Sequence, residues 1–235
     1  MVLGETLHGT NGLGSTLAAG VLKFLTESYT VTVIQPGATT TGAATWSAPS
    51  LRCDNGVAIS GSSGCVEPDF VPVLSVSQAS SGASAVMILW AQTHLSAHWG
   101  LQGSGQPLRR LTSSTQQAGN RRVICNSTFV SGSTGVPNDS CDEFPFAATY
   151  ESGALNGVTS GAQCAQVTAI RTASSGSVAA QWGNIGVIGS PTGNEKCVRG
   201  HIPVSLNSDA GGALGRFTIA QRLNDNDPYW LTVTP

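Results

Sequence analysis

The sequence predicts an α+β fold in which a small mixed or antiparallel sheet packs against a few helices and disulfides staple the chain. Three observations support this prediction. Short segments rich in Val, Ile and Thr alternate between apolar and polar residues, as half-buried strands do. One longer segment carries apolar residues at helical spacing. Six cysteines are available for pairing, an even number.

In chain order, the first predicted strand covers residues 28–36 (SYTVTVIQP), and a Gly, Ala, Thr and Ser stretch at 37–49 reads as a linker. A second strand is predicted in FVPVLSVSQ, residues 70–78. We therefore expect residues 1–45 to form an extension that contains a strand and a linker. Residues 46–235 are expected to form the main domain.

The segment 82–100 predicts a helix, because it has helix formers, no internal Pro or Gly after its start, and a Gly at its end. It carries His94 and His98 at a spacing that can chelate a metal. No Glu lies between them and no third ligand is evident, so a structural role is favoured.

Beyond this helix, residues 106–125 suggest a polar connection that leads into a strand near 123–125. A further helix is predicted to start near Gly212, after a Gly-Gly turn. The final residues, DPYWLTVTP, alternate as an edge or closing strand does.

The cysteines favour a disulfide framework over a metal site, since there is no C-x-x-C pair and no His at zinc-ligand spacing. Six cysteines allow fifteen pairings. Our hypothesis is pairing in sequence order, which closes three short loops. The pairs would be Cys53 with Cys65, Cys125 with Cys141, and Cys164 with Cys197.

Disulfides require an oxidising compartment, so we expect a secreted or extracellular protein. The first residues lack a basic start and an unbroken apolar stretch, so no signal peptide is visible. No run of eighteen apolar residues occurs, and a membrane span is not expected. The net charge of −2 gives no general attraction to nucleic acid, although nine of the eleven basic residues lie in 101–235.

The densest cluster of chemically active residues is CDEFPFAATYESGA, residues 141–154. It contains Asp142, Glu143 and Glu151 in a chain of which only 10% is charged. Hydrolysis of a phosphodiester needs a base that activates water and a hard divalent cation, and carboxylates serve both needs. The cluster therefore suggests a hydrolytic site.

A second cluster, CVRGHIPVSLNSDAGGALGRF at 197–217, contains His201, Asn207 and Asp209. Asn and Asp oxygens suit Mg²⁺ or Mn²⁺, but they also cap helices. Considered alone, Asn207 is more often a cap than a ligand. His201 is equally compatible with a structural role.

Together these motifs resemble the signature of the NucA/NucB deoxyribonucleases, and RCDNGVAISGSSGCV, PLRRLT and NRRVIC are similar to the longer actinobacterial-type members. The resemblance covers about residues 50–235 and is strongest over 141–230. It implies a metal-dependent endonuclease with a site like that of the His-Me finger enzymes, in which an Asp replaces the usual His as general base.

The resemblance also implies individual roles. Asp142 would activate water, Asn207 would help to hold Mg²⁺ or Mn²⁺, and Glu143 or Glu151 would complete the metal site. Contacts to phosphate would come from three arginines, Arg199, Arg216 and Arg222.

Two positions depart from the family pattern. Leu206 stands where shorter members have an acidic residue, and Ser152 replaces the first Gly of E-G-G-A. Asp209 is an alternative acidic ligand, and His201 is an alternative general base, because imidazole titrates near neutral pH.

DNA is the expected partner of a monomeric enzyme, and an immunity or inhibitor protein stays open as a second partner. Two other functions also stay open: a catalytically silent extracellular binding module of the same fold, and the nuclease toxin domain of a larger exported protein. A serine hydrolase is disfavoured because the chain has no G-x-S-x-G motif.

Overall fold

A computed structural model describes residues 2–4, 17–34, 37, 42–173 and 181–235. The chain divides into two compact units, Met1–Phe70 and Val71–Pro235. Small mixed and antiparallel sheets occur together with helices, which confirms the predicted α+β class. Among the helices of the described part, none has the length and apolar character needed to cross a membrane.

The described part of the first unit forms two three-stranded antiparallel sheets, with strand orders β1-β3-β4 and β2-β5-β6. Its strands are β1 (Val2–Gly4), β2 (Leu22–Leu25), β3 (Ser28–Ile34), β4 (Gly42–Ser47), β5 (Leu51–Asn55) and β6 (Ser63–Val66).

Strand β3 confirms the strand predicted at 28–36, of which residues 35–36 lie outside the described part. The predicted linker at 37–49 is wrong over residues 42–47, where β4 pairs with β3. The Tyr29 and Trp46 rings stack across this pair with centroids 5.7 Å apart. Such cross-strand aromatic pairs stabilise a sheet even in a Gly- and Ala-rich segment. The predicted domain limit at 45/46 falls inside β4.

In the second unit, the described residues form three α-helices and two sheets. Its elements are β7 (Val73–Ser77), α1 (Gln78–His94), β8 (Leu108–Arg109), α2 (Ser114–Ile124), β9 (Asp139–Phe144), β10 (Ala165–Ile170), β11 (Asn184–Ile188), β12 (Val198–Pro203), α3 (Val204–Ala220) and β13 (Pro228–Thr234). Two short 3₁₀ helices cover Gly153–Asn156 and Gly161–Gln163.

The larger sheet has the order β11-β10-β12-β9, with β10 parallel to β12 and the other pairs antiparallel. Strand β9 is therefore an edge strand.

The smaller sheet has the order β7-β13-β8. The strand predicted at 70–78 is confirmed as β7. The last residues, predicted as an edge or closing strand, form β13, which is not an edge strand because it pairs with β7 on one side and with β8 on the other. Its residues Tyr229 and Leu231 are buried in the main core.

Helix α1 is shifted from the predicted range of 82–100. It starts after Ser77, whose side chain accepts a hydrogen bond from Ala79 N, and it is kinked at Gly82 (φ 43°). His98 lies beyond its end, so the two histidines do not share a helix face. Each ring has a backbone contact instead: His94 Nδ1 lies 3.0 Å from Trp90 O, and His98 Nδ1 lies 2.7 Å from a backbone oxygen of the same helix.

Helix α2 replaces the predicted polar connection and strand near 123–125. Ser113 caps the helix by accepting a hydrogen bond from Gln116 N. The following residues are free of Pro and mostly tolerated in helices. Asn120 is buried and donates to Ala147 O at 2.9 Å, so a polar contact as well as apolar burial fixes the helix.

Helix α3 starts at Val204 rather than near Gly212, and the predicted Gly-Gly turn lies inside it. Ala210 and Leu214 are buried in the main core, together with residues of α1. This packing outweighs the helix cost of two glycines, roughly 1 kcal/mol each.

The three disulfides are Cys53–Cys65, Cys125–Cys141 and Cys164–Cys197, and no described cysteine is free. They confirm the hypothesis of pairing in sequence order. The first pair joins β5 to β6, and the second joins the end of α2 to β9.

Candidate active site

A cavity of about 460 Å³ opens at the free edge of β9, between helices α2 and α3. Strand β9 contributes Asp142 and Glu143, α3 contributes Asn207, and Arg110 and Arg121 supply positive charge. The structure thus brings together the adjacent acids and the amide that the sequence motifs singled out.

Asp142 is almost completely buried on the side of β9 that faces α1. Its Oδ2 accepts a 2.6 Å hydrogen bond from Ser84 Oγ, and its Oδ1 accepts one of 2.9 Å from Glu143 N. Burial raises the pKa of Asp142 to about 6, although the two hydrogen bonds and the charge of Arg121 act in the opposite direction. The carboxyl is held in place and titrates closer to neutrality than usual.

Glu143 points to the opposite side of β9, as the next residue of a strand must. Its Oε1 lies 3.4 Å from Arg121 Nε, and its Oε2 lies 3.3 Å from Cys125 Sγ. Burial and then the charge of Asp142 raise the pKa of Glu143 to about 7, while Arg121 and the Ala147 N–H lower it. Two buried acids with one loose cation contact leave negative charge that is not fully compensated.

Asn207 lies in the first turn of α3. Its Nδ2 donates to Ser140 Oγ at 3.2 Å and to Cys141 O at 3.0 Å, which ties α3 to β9 beside the acids. Since both bonds use the amide nitrogen, Oδ1 is the atom suited to a cation. Asn207 therefore acts inside a helix and not as its cap.

The donor set suits a hard divalent cation, because carboxylate and amide oxygens are the ligands that Mg²⁺ and Mn²⁺ prefer. Uncompensated acidic charge in the cavity favours the same ligand. Among the described residues, Glu143 also clusters with Cys125 and Cys141 within 4.8 Å. Those two sulfurs form a disulfide, so they are not thiolate ligands.

Leu206 is one departure from the family pattern, and Asp209 is the alternative acidic ligand named for it. Leu206 packs with Ala83 and Ile202 in a small apolar cluster, so an apolar residue suits this position. Asp209 is exposed on α3 and is not part of the described cavity lining.

Glu151 and His201 lie outside this cavity. Both carboxylate oxygens of Glu151 accept hydrogen bonds from Arg109, one from N and one from Nε, each at 2.7 Å. His201 Nδ1 lies 2.7 Å from Asp139 Oδ2, and its ring stacks on Phe129. Each of the two residues thus has a structural partner.

The three arginines predicted to bind phosphate also lie away from the described cavity lining. Arg199 is buried and donates to Gln166, to the Ile124 carbonyl and to Thr128. Arg222 is buried as well, and Arg216 is exposed.

Arg110 and Arg121 are the arginines that line the described cavity. From the sequence, both belong only to the group of nine basic residues in 101–235. Arg121 could be placed beside the acids only if α2 had been predicted as a helix. The sequence instead suggested a polar connection and a strand in this segment.

Residues 96–185 match a family model described as Deoxyribonuclease NucA/NucB. The matched segment includes α2 and β9 with both acids, whereas Asn207 lies beyond it. Neither the curated proteins nor the solved structures gave a match.

Proposed function

We propose that this chain, whose residues 96–185 match the NucA/NucB deoxyribonuclease family model, is a metal-dependent endonuclease that hydrolyses phosphodiester bonds of DNA. The observation that carries the proposal is the convergence of Asp142, Glu143 and Asn207 on one cavity. The two acids come from β9 and the amide from α3. A buried hydrogen bond from Ser84 holds Asp142, and a partly buried one to the Cys141 carbonyl holds Asn207.

In this proposal, Glu143 and the Asn207 amide oxygen hold the divalent cation. Mg²⁺ or Mn²⁺, when bound, neutralises charge on the scissile phosphate and on the leaving oxygen. Asp142 accepts the proton of the attacking water. A carboxyl whose pKa lies near 6 is largely ionised at neutral pH and still a stronger base than an exposed Asp.

The geometry favours Asp142 over His201 as the general base. Asp142 lines the cavity, whereas His201 is tied to Asp139 and stacked on Phe129 outside it. A general base must reach the water whose proton it accepts, so the position of a residue is a stronger criterion for this role than its pKa.

Three disulfides support a secreted or extracellular location, since such bonds persist in oxidising compartments. DNA in that environment is the proposed substrate, and we propose that the enzyme acts as a monomer.

The test is cleavage of supercoiled and linear double-stranded DNA by the disulfide-intact protein with Mg²⁺ or Mn²⁺, beside an EDTA control. We expect cutting that requires the metal and is lost in Asp142→Asn. The exposed Asp69→Asn variant provides the matched control, and His201→Gln tests the alternative base.

Loss of cutting in His201→Gln with retention in Asp142→Asn would reverse the base assignment. A folded wild-type protein that leaves DNA intact with every metal would instead point to a catalytically silent module.

A further inference from the structure

Arg121 forms an ion pair with Glu143, one of the two buried acids of the cavity. It lies in the last turn of α2, with 62% of its side chain exposed, and its Nε is 3.4 Å from the buried Oε1 of Glu143. Arg110, the other cavity arginine, is half-buried and donates to the Leu223 carbonyl through Nη1. Arg121 is therefore the more accessible of the two cations.

The contact of Arg121 with Glu143 is loose. A single N–O approach of 3.4 Å is longer than a well-formed charge-assisted hydrogen bond, which is about 2.7–2.9 Å. A guanidinium has five N–H donors in a planar fork that matches phosphate oxygens. Among the described residues, the guanidinium of Arg121 has no ion pair other than this one, and most of its side chain is exposed.

The covalent structure fixes the position of Arg121. Cys125 lies one helical turn later, and its N–H donates to Arg121 O at 2.7 Å. Cys125 is bonded to Cys141, which directly precedes Asp142. The end of α2 that carries Arg121 is thereby tethered to the strand that carries both acids.

We propose that Arg121 is a catalytic residue that contacts the scissile phosphate and stabilises the charge developing on its non-bridging oxygens, and that the Cys125–Cys141 disulfide positions it. This inference rests on the proposed nuclease function. Water attacks phosphorus, Asp142 takes the water proton, and the bond from phosphorus to the leaving oxygen breaks. That oxygen takes a proton from solvent, and Arg121 keeps its own proton throughout.

The chain supplies a matched control in Arg122. It is the next residue of the same helix turn and is also exposed, but it is not part of the described lining of the acidic cavity. Replacing either arginine by Gln changes the net charge equally. Any difference between the variants therefore reports position and not overall attraction to DNA.

The experiment measures kcat and KM on a fluorogenic DNA oligonucleotide with Mn²⁺, together with the melting temperature. For Arg121→Gln we expect kcat to fall roughly 100-fold with KM changed less than about threefold, as for loss of one preorganised donor to a transition state. Arg122→Gln should keep kcat and raise KM slightly at low salt. Arg121→Lys should recover part of kcat, because it restores charge without the fork.

Equal effects of the Arg121 and Arg122 changes, or a kcat unchanged in Arg121→Gln, would overturn the inference while leaving an active wild type and thus the nuclease proposal intact. An inactive wild type would instead contradict the nuclease proposal itself.

Whether the Cys125–Cys141 disulfide positions Arg121 is tested by asking if the losses of kcat caused by the two changes add up. The Cys125→Ser/Cys141→Ser variant should lose kcat, and adding Arg121→Gln to it should cost little more. Fully additive losses would show that the disulfide does not act through Arg121. If the serine variant does not fold, the Arg121 and Arg122 comparison still decides the catalytic role.

Discussion

The Ser84 hydroxyl donates a 2.6 Å hydrogen bond to Asp142 Oδ2 across 58 residues of sequence. Ser84 lies in α1, the helix that packs in the core, and it is fully buried. The bond links core packing to the orientation of the proposed general base. It also favours the ionised carboxylate, since a hydroxyl donor stabilises negative charge.

Removing this hydroxyl should impair the base. In Ser84→Ala we expect the pKa of Asp142 to rise further in the metal-free protein, because a bond that lowers it is lost. DNA cleavage at neutral pH should fall roughly tenfold, as expected when a supporting hydrogen bond to a reactive group is removed. Carboxyl NMR titration and initial cleavage rates measure the two effects.

Ser81→Ala is the control on the same helix. The Ser81 hydroxyl is buried and has no hydrogen-bond partner among the described residues. Its removal should leave both cleavage and the titration of Asp142 unchanged. Equal losses in both variants would mean that Ser84 acts on helix packing and not through Asp142.

The stability of the metal-free protein should depend on the ionisation of Asp142. Its pKa rises from an ordinary 3.8 to about 6 on folding, so the folded state binds the proton more tightly than the unfolded chain does. The resulting stabilisation is complete below the unfolded pKa and is lost as the pH rises through about 6. At roughly 1.4 kcal/mol per pKa unit, the loss is on the order of 3 kcal/mol.

Urea unfolding in EDTA at pH 4 and pH 8 tests this sign. The free energy of unfolding of the wild type, relative to Asp142→Asn, should be smaller at pH 8 than at pH 4. Comparison with the variant removes contributions of groups that do not interact with Asp142, such as Asp225, whose lowered pKa acts in the opposite direction. The charge of Asp142 also raises the pKa of Glu143, and loss of this repulsion in the variant changes the difference in the same direction. A difference that does not change with pH would contradict burial of an uncompensated carboxyl.

A substitution of Glu151 tests whether this residue has a structural role or a catalytic one. Its buried carboxylate is bound to Arg109 through two hydrogen bonds, outside the cavity. We expect Glu151→Gln to destabilise the fold by about 1–3 kcal/mol through the weakened pair, and to leave kcat of the folded protein unchanged. Thermal unfolding and cleavage rates measured on one sample distinguish the outcomes. A loss of kcat without a loss of stability would restore the catalytic role implied by the family resemblance.

The strands β3 and β7 were predictable because alternation is a local property of the sequence. Helix α2 was not, since only Asn120 and Ile124 of its eleven residues are buried. With so few buried positions it shows little apolar periodicity. The start of α3 was hidden because Gly211 and Gly212 read locally as a turn, whereas core contacts of Ala210 and Leu214 on either side keep this segment helical.

The residues of the candidate site differ in the same way: some could be predicted from the local sequence, and others depend on tertiary contacts. Asp142, Glu143 and Asn207 belong to compact motifs, and the structure brings them together. Glu151 and Arg199 carry the right chemistry for a site but have partners 42 and 33 residues away, Arg109 and Gln166. Such long-range partners depend on tertiary structure, so spacing along the chain could not reveal them.

The kink at Gly82 provides a last test, since it sets where α1 enters the core. Gly82 has φ 43°, and a Cβ atom at this residue would lie 2.6 Å from Trp182 O. Gly82→Ala should therefore destabilise the fold by about 2–4 kcal/mol, through backbone strain and a clash with main chain. Gly119→Ala in α2 is the matched control, because nothing lies within 4 Å of its added methyl and Ala favours a helix by up to about 1 kcal/mol. Urea unfolding of both variants should show opposite signs; a Gly82→Ala variant as stable as wild type would mean that this kink is not required for α1 to pack.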